Sequence, residues 1–379
     1  MKWSIPLGRV AGIPIRMHLT FLLLLAWIAW MGWQLNGLSS SLWALALINC
    51  LFACVVLHEL GHSLVAIRFG AQVHNVTLLP IGGVASMKSI PERPYQELLV
   101  SMAGPSVNLL IAGILVVARG GLPVWPWRID VPRSHTELLD DLLAANLVLI
   151  VFNLIPAFPM DGGRILRSLL AMILPYPKAT GVATTLGQML ALGFILVGLL
   201  ENPLLILIGL FVFIGAESED RAVHIKEMLR DVLAEEVMVT DFVSLHPEDT
   251  LGRCLEYVYH HRQEDFPVLA DGQLRGLLAR KDWLVALHRD GVQVRVADVM
   301  KRRFVSVSPK TSVARLYNDL WLLKQGVFPV IEGGKVVGLL TAEDVGRFLI
   351  VQEAQKTRLM PVEKPSADAA TSGISIDLG

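Results

Sequence analysis

Residues 17–57 contain no Asp, Glu, Lys or Arg. A helix crosses the hydrocarbon core of a bilayer with about 20 apolar residues, so this stretch is long enough for two crossings, divided near residues 36–41. Lipid also limits the architecture, because backbone polar groups there must be satisfied inside helices or closed barrels, and runs of this length select helices. Further apolar runs without charge follow at 98–118, 142–160, 179–200 and 202–216. We expect six spans, near 18–35, 42–68, 98–118, 139–173, 179–200 and 202–216, the fourth broken by Pro156 and Pro159. The apolar run at 21–33 leads straight into more membrane, unlike a cleaved signal peptide.

Charge divides the chain. Residues 1–216 carry 21 Asp, Glu, Lys and Arg, and residues 217–379 carry 46. The first part therefore reads as a membrane domain and the second as a water-soluble one. Three cysteines, two of them in apolar runs, exclude a secreted disulfide scaffold. A net charge of −1 without a basic face excludes a nucleic-acid partner. Basic residues flanking the spans set orientation. Lys2, Arg9, Arg16, Arg68, Lys88, Arg93, Arg164, Arg167 and Lys178 fall on the side of both termini, against Arg119, Arg128 and Arg133 opposite. Both ends are thus expected in the cytosol. Trp27, Trp30, Trp33, Trp43 and His18 suit interface or packing positions, and Trp125 and Trp127 the opposite interface.

The chemistry concentrates in His58-Glu59-Leu60-Gly61-His62. Histidines at i and i+4 lie on one helix face, about 40° apart. They can share one zinc, with the intervening glutamate reaching a metal-bound water as general base. Such residues are costly in a membrane helix and mark function. A catalytic zinc normally takes a third protein ligand. Asp161, behind Pro156 and Pro159, is the candidate, the alternatives being an ion pair with Arg164 or a helix cap. Asn153 is a candidate donor to a substrate carbonyl or developing oxyanion. Cys50 and Cys54 precede His58 at four-residue steps but suit small hydrophobes better than ligands. Ala103-Gly104-Pro105-Ser106 with Asn108 suits close helix packing.

His58-Glu59-Leu60-Gly61-His62, followed by Asn153-Leu-Ile-Pro-Ala-Phe-Pro-Met-Asp161-Gly-Gly, resembles the site-2 protease family of intramembrane zinc metalloproteases, over residues 1–216. The resemblance implies a Zn²⁺ held by His58, His62 and Asp161, with Glu59 as base and Asn153 on the substrate backbone. It implies a membrane-anchored protein substrate and a place in the inner or plasma membrane of a prokaryote. A substrate helix hides its carbonyls in i→i−4 bonds and must unwind, after which it can pair with a strand edge. Residues 73–87, with Gly82-Gly83 as the turn, are expected to form a membrane-dipping hairpin for that purpose.

The soluble part repeats at an offset of 62. Val237-Met238 recurs as Val299-Met300, Phe266-Pro267-Val268 as Phe328-Pro329-Val330, and Gly276-Leu277-Leu278 as Gly338-Leu339-Leu340. Asp271-Gly272 and Gly333-Gly334 mark hairpin turns. This resembles a tandem pair of cystathionine-β-synthase-type (CBS) domains over 236–351, with repeats at 236–297 and 298–351. The resemblance implies binding of ATP or AMP through Thr341 and Asp344. Ala279 stands where the first repeat would need the hydroxyl, so one good site is expected. The other reading is that Thr341 and Asp344 cap the last helix and the pair only dimerises. Lys301-Arg302-Arg303 reads as a solvated turn. Residues 217–235 read as a linker and 352–379 as a disordered tail.

The fold class expected is a polytopic α-helical membrane domain of about six transmembrane helices plus a cytosolic α/β CBS pair. A CBS-gated transporter or channel is the alternative, although related halves with paired broken helices are not visible in the sequence.

Overall fold

The computed structural model describes residues 4–80, 82–87, 93–121, 131–261, 263–316 and 325–356. It divides into two compact units, Met1–Val223 and His224–Gly379. Lys2, Lys88, Arg128, Trp125, Trp127 and residues 357–379 of the expected tail lie outside the described residues, while its residues 352–356 are helical, contrary to the expected disorder.

The first unit opens with an antiparallel hairpin absent from the sequence reading, β1 (Ser4–Val10) and β2 (Ile13–His18). Its turn residues Ala11 and Gly12 both have positive φ, 51° and 82°, as a two-residue type I′ turn requires. His18 caps α1 (Leu19–Asn36), its Nδ1 lying 3.4 Å from the Thr20 amide. Next comes α2 (Leu38–Arg68), 31 residues long. At 1.5 Å per residue it runs about 46 Å, more than the hydrocarbon core of about 30 Å. β3 (Val73–Leu79) pairs antiparallel with β4 (Gly82–Met87) and parallel with β2, giving a sheet in the order β1-β2-β3-β4. Leu60, inside the His-Glu motif, packs on Ile13, Ile15 and Val76 of this sheet.

The hairpin expected over 73–87 is present, but Gly82-Gly83 is not its turn. Leu79 pairs with Gly82, so both glycines already belong to β4. Contact explains why: a Cβ on Gly83 would lie 2.8 Å from Glu59 Cγ.

The remaining helices are α3 (Pro94–Arg119), α4 (His135–Leu154), α5 (Asp161–Ala171), α6 (Tyr176–Leu200) and α7 (Pro203–Met228). Among the described residues, four helices are long and apolar enough to cross a membrane: α1, α2, α3 and α6. The expected count of six is not reached by that measure. The expected span at 139–173 is two helices, α4 and α5, and α4 opens with Glu137, Asp140 and Asp141. The expected span at 202–216 is the apolar first part of α7, which continues as a polar helix through residues 217–228 of the expected linker. Arg119, which weighed against the orientation rule, is paired with Asp140.

In the second unit β5 (Phe266–Ala270) pairs with β6 (Gln273–Leu278), and β7 (Val327–Glu332) with β8 (Lys335–Thr341). Phe266 faces Leu278 and Phe328 faces Leu340, and the registers shift at Val268/Leu269 and Val330/Ile331. Asp271, Gly272, Gly333 and Gly334 all have positive φ, as expected of these turns. Helices α8 (Ala234–Val237), α9 (Leu251–His261), α10 (Arg280–Asp290), α11 (Val296–Val299) and α12 (Ala342–Lys356) complete the unit. Each hairpin has its own core, around Phe266, Val268 and Leu278 or around Phe328, Val330 and Leu340. Leu277, Val327 and Leu339 form a cluster joining the two. The repeat extends to side-chain bonds. Gln263 brackets Val243, accepting from its N–H and donating to its carbonyl at 2.8 Å each, and Gln325 does the same to Val305 at 2.8 and 2.7 Å.

Candidate active site

α2 places His58 and His62 on one face, and both are buried. Their Nε2 atoms lie 3.0 Å apart. Asp161, the first residue of α5, brings Oδ2 to 3.2 Å from His58 Nε2 and 3.1 Å from His62 Nε2. Zinc bonds of about 2.0–2.1 Å at tetrahedral angles set ligand atoms about 3.3 Å apart, so the triangle fits a zinc ion in size and donor type. His62 Nδ1 donates to the Val100 carbonyl at 2.7 Å, which leaves its Nε2 lone pair facing Asp161. The carboxylate of Asp161 faces the imidazoles, in preference to the Arg164 pair considered above. Among the described residues this is the group with metal-ligand spacing. Cys54 lies apart from it, accepting from Asn146 Nδ2 at 3.5 Å.

The triangle depends on a missing side chain. A Cβ on Gly104 of α3 would lie 2.2 Å from His62 Nε2 and 2.6 Å from His58 Nε2. Gly61 allows the same approach from α2, where a Cβ would lie 3.0 Å from the Ala103 carbonyl oxygen. The small-residue segment of α3 thus packs as expected and also walls the site.

Asp161 is aimed by the chain before it. Residues 155–160 separate α4 from α5, and a Cβ on Gly162 would lie 2.2 Å from the Ile155 carbonyl oxygen. Only glycine after Asp161 permits that reversal. Further along α5, buried Arg167 holds Glu97 Oε1 of α3 through Nε and Nη2, and Glu219 Oε1 of α7 through Nη1 at 2.5 Å. Its guanidinium lies 4.8 Å from the Phe158 ring centre and 5.0 Å from that of Tyr176. In the sequence alone Arg167 reads only as a basic flank. The missed signal was its presence, with Glu97 and Glu219, at the borders of apolar runs. Glu59 is half-buried beside β4. Asn153 is half-buried in the last turn of α4, not part of the triangle.

The profile of peptidase family M50 matches residues 46–124 and 130–196, and that of the CBS domain matches 234–289 and 296–350. A zinc metalloprotease of Methanocaldococcus jannaschii is 37% identical over 357 residues, which span 94% of this chain and 99% of the relative. The chain belongs to peptidase family M50. A solved site-2 protease from M. jannaschii is 42% identical and covers 57% of this chain and 95% of its own, with a TM-score of 0.41. The M50 protein is an integral membrane protein and a zinc-dependent protease with a tandem CBS pair, and the transporter alternative finds no support.

In this M50 peptidase the CBS pair encloses a cavity of about 720 Å³, lined by both Thr341 and Asp344. Those two residues also cap α12. Asp344 Oδ2 accepts from the Thr341 N–H at 2.9 Å and its hydroxyl at 2.6 Å, while Thr341 Oγ1 lies 3.2 Å from the Asp344 N–H. The capping expected of these two residues is thus present, and the same residues line the cavity. Burial holds the carboxyl of Asp265, on the same wall, above its ordinary pKa against the opposing Arg280 N–H.

Proposed function

We propose that the protein hydrolyses peptide bonds in or near the membrane-spanning segments of membrane-anchored proteins, with His58, His62 and Asp161 as zinc ligands and Glu59 as general base. The observation that carries this reading is the buried triangle of two Nε2 atoms and one carboxylate oxygen within 3.0–3.2 Å, beside Glu59. When bound, zinc supplies Lewis acidity, polarising the scissile carbonyl and acidifying water. The Glu59 carboxylate takes the proton of the attacking water and returns it to the leaving amine. Asn153 steadies the substrate backbone.

A helical substrate must unwind before its carbonyl is accessible. β4 ends the sheet order, so its outer edge is a template on which an unwound segment can pair. Gly83 brings that strand against Glu59, next to where the proton is handled.

Both termini and the CBS pair lie in the cytosol of a prokaryote, following the basic flanks. An adenine nucleoside or nucleotide in the cleft of Thr341 and Asp344 regulates cleavage, and the pair supports a homodimer. The test of the chemistry is Glu59→Gln, assayed for zinc content and for cleavage of a co-expressed membrane-anchored substrate. Cleavage should fall by about 10²–10⁴-fold with zinc retained. Unchanged cleavage excludes Glu59 as the base.

A further inference from the structure

His62, Asp161, Arg167 and Glu97 belong to one closed ring of contacts. His62 Nε2 faces Asp161 Oδ2 at 3.1 Å, and its Nδ1 donates to the Val100 carbonyl of α3 at 2.7 Å. Glu97 precedes Val100 on α3 by less than one helical turn. Its Oε1 accepts from Arg167 Nε at 2.9 Å and also from Nη2. Arg167 follows Asp161 within α5, about 9 Å further along the helix axis. The ring so returns to Asp161, and all four of these side chains are buried.

Arg167 also grips the chain on the other side of Asp161. Its guanidinium lies 4.8 Å from the ring centre of buried Phe158, in the segment that leads into α5. That segment is folded tightly on the helix, since a Cβ on Gly163 would lie 2.7 Å from the Phe158 nitrogen. One side chain therefore holds both approaches to Asp161. The tolerance of the site is small. A slip of α3 by one residue, about 1.5 Å, would replace Gly104 with Ala103 or Pro105, where a Cβ lies 2.2 Å from His62 Nε2. A misplacement of about 1 Å can cost about 10²-fold in rate. Stability is a weak reason for the pair, because well-packed apolar residues often hold a core as well as buried ions do. What apolar residues lack is the direction of a charge-assisted hydrogen bond.

We propose that Arg167 is a positioning residue of the zinc site, one that sets Asp161 against His62 by locking α5 to α3 through Glu97. The proposal rests on the reading of His58, His62 and Asp161 as zinc ligands. Arg167 touches no ligand itself. It fixes the register of the helix that orients His62 and the aim of the helix that begins with Asp161. The second arm, to Glu219, ties in α7, which carries no ligand.

The experiment uses the full-length protein in detergent with the metal alone as probe. Zinc affinity is measured by competition with a chelator, and ligand geometry by the visible spectrum of the Co²⁺-substituted protein. Arg167→Met and Glu97→Gln should each weaken zinc binding by about 10–100-fold and shift the cobalt bands. Arg167→Lys keeps the charge without the planar fork and should recover part of the loss. Glu219→Gln should have a smaller effect than Glu97→Gln. Phe21→Ala removes the ring that packs edge-on to Phe52 at 4.4 Å, in a helix without ligands. It should lower thermal stability while zinc affinity and spectrum stay as in the wild type. Should Arg167→Met fail to fold, Glu97→Gln and Arg167→Lys carry the test. Wild-type zinc affinity and cobalt spectrum in folded Glu97→Gln overturn the positioning role and leave the three ligands standing. The same follows if Phe21→Ala loses zinc as readily, and equal losses in Glu219→Gln and Glu97→Gln overturn the assignment to the α3 arm. A wild-type protein that binds neither metal overturns the ligand reading as well.

Discussion

The two units handle polar groups in opposite ways. In the first, charged side chains are few, and the buried ones around the site face specific partners, as Asp161 does two histidines and Arg167 does Glu97 and Glu219. In the second, they are plentiful and many ion pairs are largely exposed, as between Arg295 and Glu248, each 64% exposed. Solvent explains the contrast. An unpaired charge in a lipid-facing unit has no water to turn to, so each one kept must be matched in place. In water the same pair contributes little. A polar residue therefore carries more information in the first unit than in the second.

That contrast can be broken most directly at Arg167. Arg167→Met leaves Glu97 and Glu219 without their cation and should cost about 3–5 kcal/mol in the thermal unfolding of the detergent-solubilised protein. Arg167→Lys should fall between the two, since an ammonium cannot reproduce the fork that grips Glu97. A loss no larger than that of a surface charge would mean that the first unit tolerates unpaired groups as the second does. Next in size comes Gly104→Ala, which drives a methyl into the imidazoles and should lower zinc affinity and cleavage by about 100-fold. Gly113→Ala, on the same helix with nothing within 4 Å of the added carbon, should leave both unchanged.

The second unit should respond more gently. Thr341→Ala removes the α12 cap and should lower stability by about 1 kcal/mol, read by thermal unfolding. The smallest effect is one of pH. The raised carboxyl of Asp265 keeps a proton in the folded state that the unfolded chain has released. Its stabilising contribution is full below the ordinary Asp value of about 3.9 and is lost as pH rises through the raised one. Asp265→Asn should flatten that decline in an unfolding series from pH about 4 upward. A steeper decline would reverse the sign assigned to this group.

The same contrast decides what could be read from residues alone. His58, Glu59, His62 and Asp161 were legible because such side chains rarely enter apolar runs without a task. The CBS pair was legible because its repeat is regular, down to Gln263 and Gln325. The contact of Gly83 with Glu59 and of Gly104 with the imidazoles was not, although close packing at Gly104 was, since a glycine's purpose depends on the atoms opposite it. Arg167 was not, because its partners lie 70 and 52 residues away. The expected count of spans is not reached by length and composition where acids at the start of α4 and a polar second half in α7 join apolar stretches into mixed helices.

Gly83 meets Glu59 with main chain alone, and on the proposed pairing of an unwound client with β4 that bears on selectivity. A bare rail of amides and carbonyls has no means of spelling out a preferred residue at that point. What it can sort by is how readily a helix frays. Conformational weakness then becomes the address written on a client protein, and two clients need share no letters to be delivered to the same blade.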